Sequence, residues 1–186
     1  MIFVYNYNAI SKEVEKLKKV YNTGDPFKIC KQMGIKVLET PMGKKAESCK
    51  GFYLTHSRVQ VITINSDLSA EFKRIICSHE LGHAVLHKNQ AGLKSFHDFG
   101  LFDSTATYEY EANIFAAELL LDDEEVIKKL NDDMFFFQAA AELYVPPEIL
   151  EFKFRAMKRK GYKVDSPHFA TSTTWLKKAK DSGTDF

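Results

Sequence analysis

The sequence predicts an α+β fold in which a small, mostly antiparallel sheet packs on several helices, with a helical extension at the C-terminal end. Between residues 35 and 65, short apolar segments rich in β-branched and aromatic residues alternate with polar turns, which is typical of strands. Elsewhere, apolar residues recur at helical spacing between capping and breaking residues. Hydrophobic residues make up 45% of the 186 residues, which is enough for a packed core.

The first part of the chain is expected to form two helices, one strand and a hairpin. The helices have apolar residues at helical period, and Gly34 ends the second of them. The strands have alternating or continuous apolar residues. The expected ranges are 9–21 and 26–33 for the helices, 35–39 for the strand, 40–50 for a polar loop, and 51–55 and 59–65 for the hairpin.

The second part is expected to be helical. A helix over about 70–88 can be capped by Ser66 or Ser69, and residues 89–107 lack any period and are expected to form a loop. The later helices are expected at about 107–121, 123–130 and 133–143, and from Pro146-Pro147 to about 160. Residues 1–130 are predicted to form the main domain and 131–186 a helical extension that can be integral to it, with a weakly patterned end.

Composition and charge favour a soluble protein of the cytoplasm. The net charge of +1 predicts no polyanionic partner for the chain as a whole. The three cysteines form no CxxC pair, which favours reduced thiols and a cytoplasmic location. The first residues lack the basic and apolar regions of a signal peptide, and no segment approaches the ~20 apolar residues of a membrane span.

Two histidines flank a glutamate in the segment HELGH of the helix predicted for 70–88. His79 and His83 are four residues apart, so their side chains lie one above the other on one helix face. At this spacing two imidazoles can share one zinc ion. Glu80 lies about 100° round the helix, where it can act as a general base toward a water molecule. The pattern indicates a hydrolytic zinc centre in a zincin-like helical core, and most directly a peptidase.

A catalytic zinc ion takes three protein ligands and leaves one position open, so a second helix is expected to supply the third ligand. On a wheel of TYEYEANIFAAELLL, Glu109 shares a small-residue face with Asn113, whereas Glu111 and Glu118 fall nearly opposite and are expected to be solvated. Glu109 is therefore the predicted ligand and Glu111 the alternative, and Asn113 is predicted to hydrogen-bond one of the histidines. Gly82, unfavourable by roughly 1 kcal/mol inside a helix, indicates close approach of another segment or of the substrate.

Other polar residues near the motif have more than one interpretation. His87 could be a ligand, a hydrogen-bond donor to a ligand, or the polar end of the helix beside its C-terminal dipole, and the last is expected. Cys77 is expected in the core, and Cys49 could cap the open metal position in a resting state. The side chains that could stabilise an oxyanion, although surface or packing roles are expected for each, are His56, His97, Tyr108 and Tyr110.

Three segments of the chain resemble the ImmA/IrrE family of zinc metallopeptidases. INSDLSAEFKRIICSHELGHAVLH resembles that family's strand and active-site helix, EYEANIFAAELLL its third-ligand helix, and AAELYVPPEILEFKFRAMKRKGY the helical pair that follows. The family commonly ends its ligand helix with Met-Pro, where this chain has Leu121-Asp122, a difference at the helix exit. Since the family's ligand precedes Ala-Asn by three residues, the resemblance also implies Glu109 as ligand.

The resemblance implies a substrate that composition and spacing do not indicate. It implies a zinc endopeptidase that cleaves a helix-turn-helix transcriptional repressor, often in the setting of a phage or another mobile element. His79, His83 and Glu109 are then the expected ligands of Zn²⁺, and Glu80 is the expected general base.

Two alternatives belong to other functional classes. Residues 133–160 resemble a helix-turn-helix that leads into basic residues, so a DNA-binding protein with a vestigial zinc site is one alternative. The apolar residues of this segment argue against direct nucleic-acid binding, because they are expected to pack. The other alternative is a binding module with a structural zinc ion, but such a site has no need of Glu80 and usually fills all four positions.

Overall fold

The computed structural model describes residues 6–45, 47–88, 96–97, 107–131 and 135–164, with the backbone alone for 96–97 and 131. Its elements, in chain order, are α1 (Tyr7–Tyr21), α2 (Pro26–Met33), β1 (Lys36–Thr40), β2 (Gly51–His56), β3 (Val59–Asn65), α3 (Ala70–Leu86), β4 (Phe96–His97), α4 (Thr107–Leu120), α5 (Asp123–Asn131), α6 (Phe136–Glu142) and α7 (Pro147–Arg159).

The predicted α+β class is confirmed, and each predicted helix and strand is present with ends shifted by a few residues. Ser69, not Ser66, caps α3, because its hydroxyl accepts a hydrogen bond from the Phe72 amide. Most of the loop expected over 89–107 lies outside the described residues. The short strand β4 lies within this segment and was not predicted. The weakly patterned C-terminal end also lies outside them beyond residue 164.

The four strands form a mixed sheet in the order β1-β3-β2-β4. β1 pairs with β3 in parallel, whereas the pairs β2–β3 and β2–β4 are antiparallel. The hairpin turn between β2 and β3 consists of Ser57 and Arg58, whose φ angles are 48° and 68°. Two consecutive positive φ values give a turn whose twist matches that of the strands, which fixes the register of the hairpin. Tyr53, Ile62 and Ile64 of these strands are fully buried in the core.

Helices α3 and α4 form the centre of the molecule and pack closely at Gly82. A Cβ atom at this position would lie 3.2 Å from both the Ala112 Cα and the Phe115 Cδ1. Gly82 therefore allows the close approach of another segment that the sequence predicted, and that segment is α4. Helices α1 and α7 pack on α4 as well, so α4 is enclosed on more than one side.

The expectation that Glu111 and Glu118 are solvated is wrong. Their exposed fractions are 2% and 4%, and α4 is buried continuously from Glu111 to Leu119. The helical wheel separated the two faces of α4 correctly, but it assumed that only one of them packs. A helix that is buried all round has no solvated face, so both carboxylates need partners inside the protein.

Glu118 has its partners in a partly buried group of four charges. The Glu118 carboxylate accepts hydrogen bonds from the ammonium groups of Lys153 at 2.9 Å and Lys160 at 2.6 Å. Both lysines also pair with Asp123, whose pKa is held below its ordinary value: burial would raise it, but the two lysines outweigh that effect. Two positive and two negative charges thus connect α4, the start of α5 and the end of α7 without leaving a buried charge uncompensated.

The division of the chain near residue 130 stays a prediction. Helix α7, from the proposed extension, packs against α4 and α1 of the main domain. Among the described residues, no helix combines the length and the apolar character needed to cross a membrane.

Glu148 is expected to make the stability of the fold depend on pH. Its Oε2 atom is buried with no hydrogen-bond partner among the described residues, and burial raises the pKa of the carboxyl from 4.5 to about 7. Between these values the folded chain keeps a proton that the unfolded chain has lost. The free energy of unfolding should therefore fall as the pH rises from about 4.5 to about 7. Above that range the full destabilising penalty of burying the ionised carboxylate should be present.

Glu148→Gln should remove this penalty. We expect the variant to be more stable than the wild type at pH 8 and equally stable near pH 4, as measured by urea denaturation with chelator present throughout. Glu15→Gln, at an exposed position of α1, is the matched control. A stability difference between Glu148→Gln and the wild type that is the same at both pH values would contradict the prediction.

Candidate metal centre

Helices α3 and α4 bring together His79, His83 and Glu109, the three side chains predicted as ligands from the sequence. One nitrogen or oxygen atom from each lies within 4.8 Å of the others. The two histidine Nε2 atoms are 3.1 Å apart. Glu109 places its Oε2 atom 3.1 Å from His79 Nε2 and its Oε1 atom 3.5 Å from His83 Nε2.

These separations fit a metal ion between the three side chains. Zinc bonds to nitrogen and oxygen ligands are about 2.0–2.1 Å long, so the ligand atoms of a tetrahedral site lie about 3.3 Å apart. The observed 3.1 to 3.5 Å agrees with that spacing. Within the described parts of the chain, no other set of three or more His, Cys, Asp or Glu side chains converges in this way.

Glu109 carries a negative charge in a cluster that is largely shielded from water. Both histidine side chains are 1% exposed, whereas 17% of the Glu109 side chain is exposed. Burial would raise the pKa of the Glu109 carboxyl, but its hydrogen bonds to His79 and His83 outweigh that effect and hold the pKa well below its ordinary value. Glu109 is therefore a carboxylate at neutral pH, and a cation between the three groups would be stabilised.

Asn113 supports His79 from behind. Its Oδ1 atom lies 2.9 Å from His79 Nδ1, and both residues are buried. An amide oxygen only accepts hydrogen bonds, so His79 donates to it from Nδ1, and its Nε2 atom faces Glu109. The hydrogen bond predicted from the sequence is thus present, and it goes to the first histidine of the motif.

His87 supports His83 in a similar way, but with a second residue behind it. The Nδ1 atoms of His83 and His87 are 3.0 Å apart, and His87 Nε2 lies 2.8 Å from Glu111 Oε2. Burial, followed by the neighbouring His83, lowers the pKa of His87 to about 3, so this ring is neutral. The expectation that His87 is simply the polar end of the helix is wrong, because it is 1% exposed and belongs to a buried hydrogen-bonded chain.

Glu80 lies on α3 beneath the first residue of β2. It is 1% exposed, and a Cβ atom on Gly51 would lie 3.7 Å from Glu80 Oε1. That Cβ atom would also lie only 2.4 Å from Ile76 Cγ2, so position 51 has no room for a side chain. Strand β2 therefore begins directly against α3, beside Glu80, the residue predicted as general base.

Asn65, for which no role was predicted from the sequence, holds the loop that leads to Gly51. Its Oδ1 atom accepts from the amides of Met42 and Asp67, and its Nδ2 group donates to the carbonyls of Gly43 and Cys49. Asn65 is fully buried at the end of β3. An amide residue closing an apolar strand was the only signal in the sequence, and it does not reveal which loop the amide binds.

Cys77, Cys49 and Tyr108 are outside the three-residue cluster. Cys77 is buried 3.9 Å from the Cys30 sulfur, so its expected core position is confirmed. The Cys49 thiol donates to the Gly51 carbonyl and is not in the cluster of possible ligands among the described residues. Tyr108 packs its ring 4.8 Å from that of His87.

The other three residues considered for stabilising an oxyanion are Tyr110, His56 and His97. Tyr110 packs edge-on against Tyr7 and Phe152, and the two tyrosine hydroxyls hydrogen-bond each other. His56 is exposed at the end of β2. The side chain of His97 lies outside the described residues.

Helices α6 and α7 do not present a DNA-recognition surface of the usual kind. In α7, residues 149–154 and 156–157 are buried. Lys153, within this stretch, is 2% exposed and pairs with Glu118. A recognition helix must turn side chains into the major groove, so this arrangement argues against DNA binding through α7.

One family model and two known proteins match this chain. The peptidase family model described as IrrE N-terminal-like domain matches residues 30–155. The chain is 38% identical over 115 residues to the uncharacterized immunity region protein 2 of Bacillus phage phi105, covering 62% of this chain and 70% of that protein. It is 27% identical over 126 residues to the metallopeptidase ImmA of Bacillus subtilis (strain 168), covering 65% and 68%.

Asn113→Ala is expected to weaken Zn²⁺ binding about 10- to 100-fold, because it removes the acceptor that orients His79. Zn²⁺ affinity would be measured by competition with a chromophoric chelator, after far-UV circular dichroism has established that the variant is folded. Asn113→Asp keeps an acceptor at the same atom and should bind Zn²⁺ at least as tightly as the wild type. Equal affinities for Asn113→Ala and the wild type would refute the role of Asn113.

Proposed function

Because the chain belongs to the M78 peptidase family, whose model covers residues 30–155, we propose that it is a zinc-dependent endopeptidase. In this proposal His79, His83 and Glu109 hold the zinc ion and Glu80 is the general base. The observation that carries it is the convergence of two imidazoles and one carboxylate at the spacing of tetrahedral ligands.

The chemistry of the donor atoms supports zinc as the metal. Two neutral imidazole nitrogens and one carboxylate oxygen are the ligand set of several catalytic zinc sites, and a site of this kind leaves a fourth position open. Glu109 is the most exposed of the three side chains, so solvent reaches the cluster from its side. Asn113 and His87 orient the two histidines so that both turn Nε2 toward the centre.

Each residue then has a defined part in peptide hydrolysis. Bound zinc supplies the Lewis acidity that makes a water molecule acidic near neutral pH and polarises the scissile carbonyl. The Glu80 carboxylate takes one proton from that water as its oxygen attacks the carbonyl carbon. Glu80 then gives the proton to the amide nitrogen as the carbon–nitrogen bond breaks, so that an amine and a carboxyl group leave. Burial of Glu80 beneath β2 strengthens its interactions with the reacting groups.

For the substrate we propose a helix-turn-helix transcriptional repressor of a phage or mobile element, cleaved in the cytoplasm. The sequence resemblance implies this class of substrate, and the similarity to an immunity region protein of a phage supports it. A regulator that binds a partner through a non-catalytic metal site is the second candidate. A glutamate between the two histidines of the motif favours the peptidase, since a structural site has no use for a base.

Glu80→Gln should keep zinc and lose activity. The amide has the same shape as the carboxylate but cannot take up the proton, so cleavage should fall at least about 100-fold with Zn²⁺ affinity unchanged within a few-fold. The assay is cleavage of the repressor encoded nearest the gene, followed by electrophoresis and mass spectrometry, with and without chelator. Undiminished turnover by a zinc-loaded Glu80→Gln variant would sink the assignment of Glu80.

Glu109→Gln should lose zinc itself. Removing the charge of a ligand is expected to weaken Zn²⁺ binding by more than the about 10- to 100-fold typical of a supporting residue. Glu118→Gln, a buried carboxylate on the same helix but outside the cluster, is the control and should bind Zn²⁺ as the wild type does. If Glu109→Gln and the wild type bind Zn²⁺ equally, the proposed ligand set is wrong.

A further inference from the structure

The hydrogen-bonded chain behind His83 ends in a charged group, whereas the hydrogen bond behind His79 does not. His79 is held by a neutral amide, whereas the chain behind His83 ends in the Glu111 carboxylate. The two histidines therefore differ in the charge behind them although they lie on one face of one helix. His87, four residues after His83, is the link between the histidine and the carboxylate.

Only one arrangement of protons satisfies this chain if His83 binds a metal through Nε2. His83 must then carry its proton on Nδ1, and that proton is donated to His87 Nδ1 across 3.0 Å. A neutral His87 that accepts at Nδ1 has its own proton on Nε2, which is donated to Glu111 Oε2 across 2.8 Å. Every donor meets an acceptor, and the Nε2 lone pair of His83 is left pointing at His79 and Glu109.

We infer that His87 and Glu111 form a positioning pair that fixes the tautomer of His83 and increases its strength as a metal ligand. The inference rests on the proposed function, because it concerns the proposed ligand His83. A carboxylate that accepts a proton from the ring behind a ligand raises the basicity of that ligand, and losing such a partner typically costs about 10- to 100-fold in metal affinity. Here a second imidazole transmits the effect from Glu111 to His83.

The burial of the pair supports a role beyond packing. The His87 and Glu111 side chains are 1% and 3% exposed, so the charge of the carboxylate is little screened by water. Burying a carboxylate is costly unless it is paired and hydrogen-bonded. The His87 ring meets that need at 2.8 Å from Glu111 Oε2, in surroundings where a hydrogen bond is stronger than in water.

His87 can be altered at one ring nitrogen at a time. His87→Asn keeps an acceptor near Nδ1 but does not reach Glu111, and His87→Gln keeps a donor near Nε2 but loses the acceptor for His83. His87→Leu removes both, and Glu111→Gln keeps a hydrogen-bond acceptor while removing the charge. Glu118→Gln is the matched control, since Glu118 is a buried carboxylate two turns further along α4 that pairs with Lys153 instead.

The experiment measures Zn²⁺ affinity by chelator competition and the visible absorption spectrum of each Co²⁺-substituted protein. We expect Zn²⁺ affinity to fall about 10- to 100-fold in His87→Leu and about 10-fold in Glu111→Gln. His87→Asn should retain more affinity than His87→Gln, because the bond to His83 is the one that fixes its tautomer. The Co²⁺ bands should shift in His87→Leu and remain unchanged in Glu118→Gln.

The outcomes separate the pair from the metal centre itself. If the wild type binds Zn²⁺ tightly and the folded His87→Leu and Glu111→Gln proteins match it in affinity and in Co²⁺ spectrum, the positioning pair is refuted while the peptidase proposal stands. If Glu118→Gln weakens Zn²⁺ binding as much as Glu111→Gln, the effect comes from general loss of packing and the inference is again refuted. If the wild type binds no Zn²⁺, the proposed function fails first.

Discussion

The close packing of α3 against α4 is the constraint on which the site depends. Gly82 and Ala112 allow the two helix backbones to approach each other, and a Cβ atom at position 82 would already press on α4. At this distance short side chains such as Asn113 and Glu109 reach the histidines of α3 directly. A larger residue at the crossing would move α4 outward and lengthen each of these hydrogen bonds together. The roughly 1 kcal/mol that a glycine costs inside a helix is therefore offset by the contacts it permits.

The three acidic residues of α4 show how the same chemical group takes different roles in one buried helix. Glu118 is neutralised by Lys153 and Lys160, so its charge is balanced without any ligand. Glu109 and Glu111 instead face histidines: Glu109 lies beside His79 and His83, and Glu111 beside His87. The carboxylate at one end of α4 is therefore paired with lysines, and those at the other end lie beside the histidines of the proposed metal site.

The sequence allowed the proposed ligands to be predicted, because their spacing is local. His79 and His83 share a helix face by the geometry of the helix alone, and Gly82 signals close packing without naming the partner. The wheel also separated Glu109 from Glu111 correctly. It could not predict that Glu111 is buried, because α4 packs against α3, α1 and α7, which come from other parts of the chain. The role of His87 was missed for the same reason: its partner Glu111 lies 24 residues away.

The three histidines of α3 are spaced so that their rings lie along one face of the helix. Positions 79, 83 and 87 repeat every four residues, so the rings form a column along α3 with centroid distances of 4.8 and 5.1 Å. Two rings of the column turn Nε2 toward each other, and the third is placed one turn beyond them, where α3 ends. The end of a helix is negative, which disfavours a further carboxylate there but not a neutral ring. An imidazole is therefore suited to this position, because it carries the influence of Glu111 to His83 without adding charge of its own.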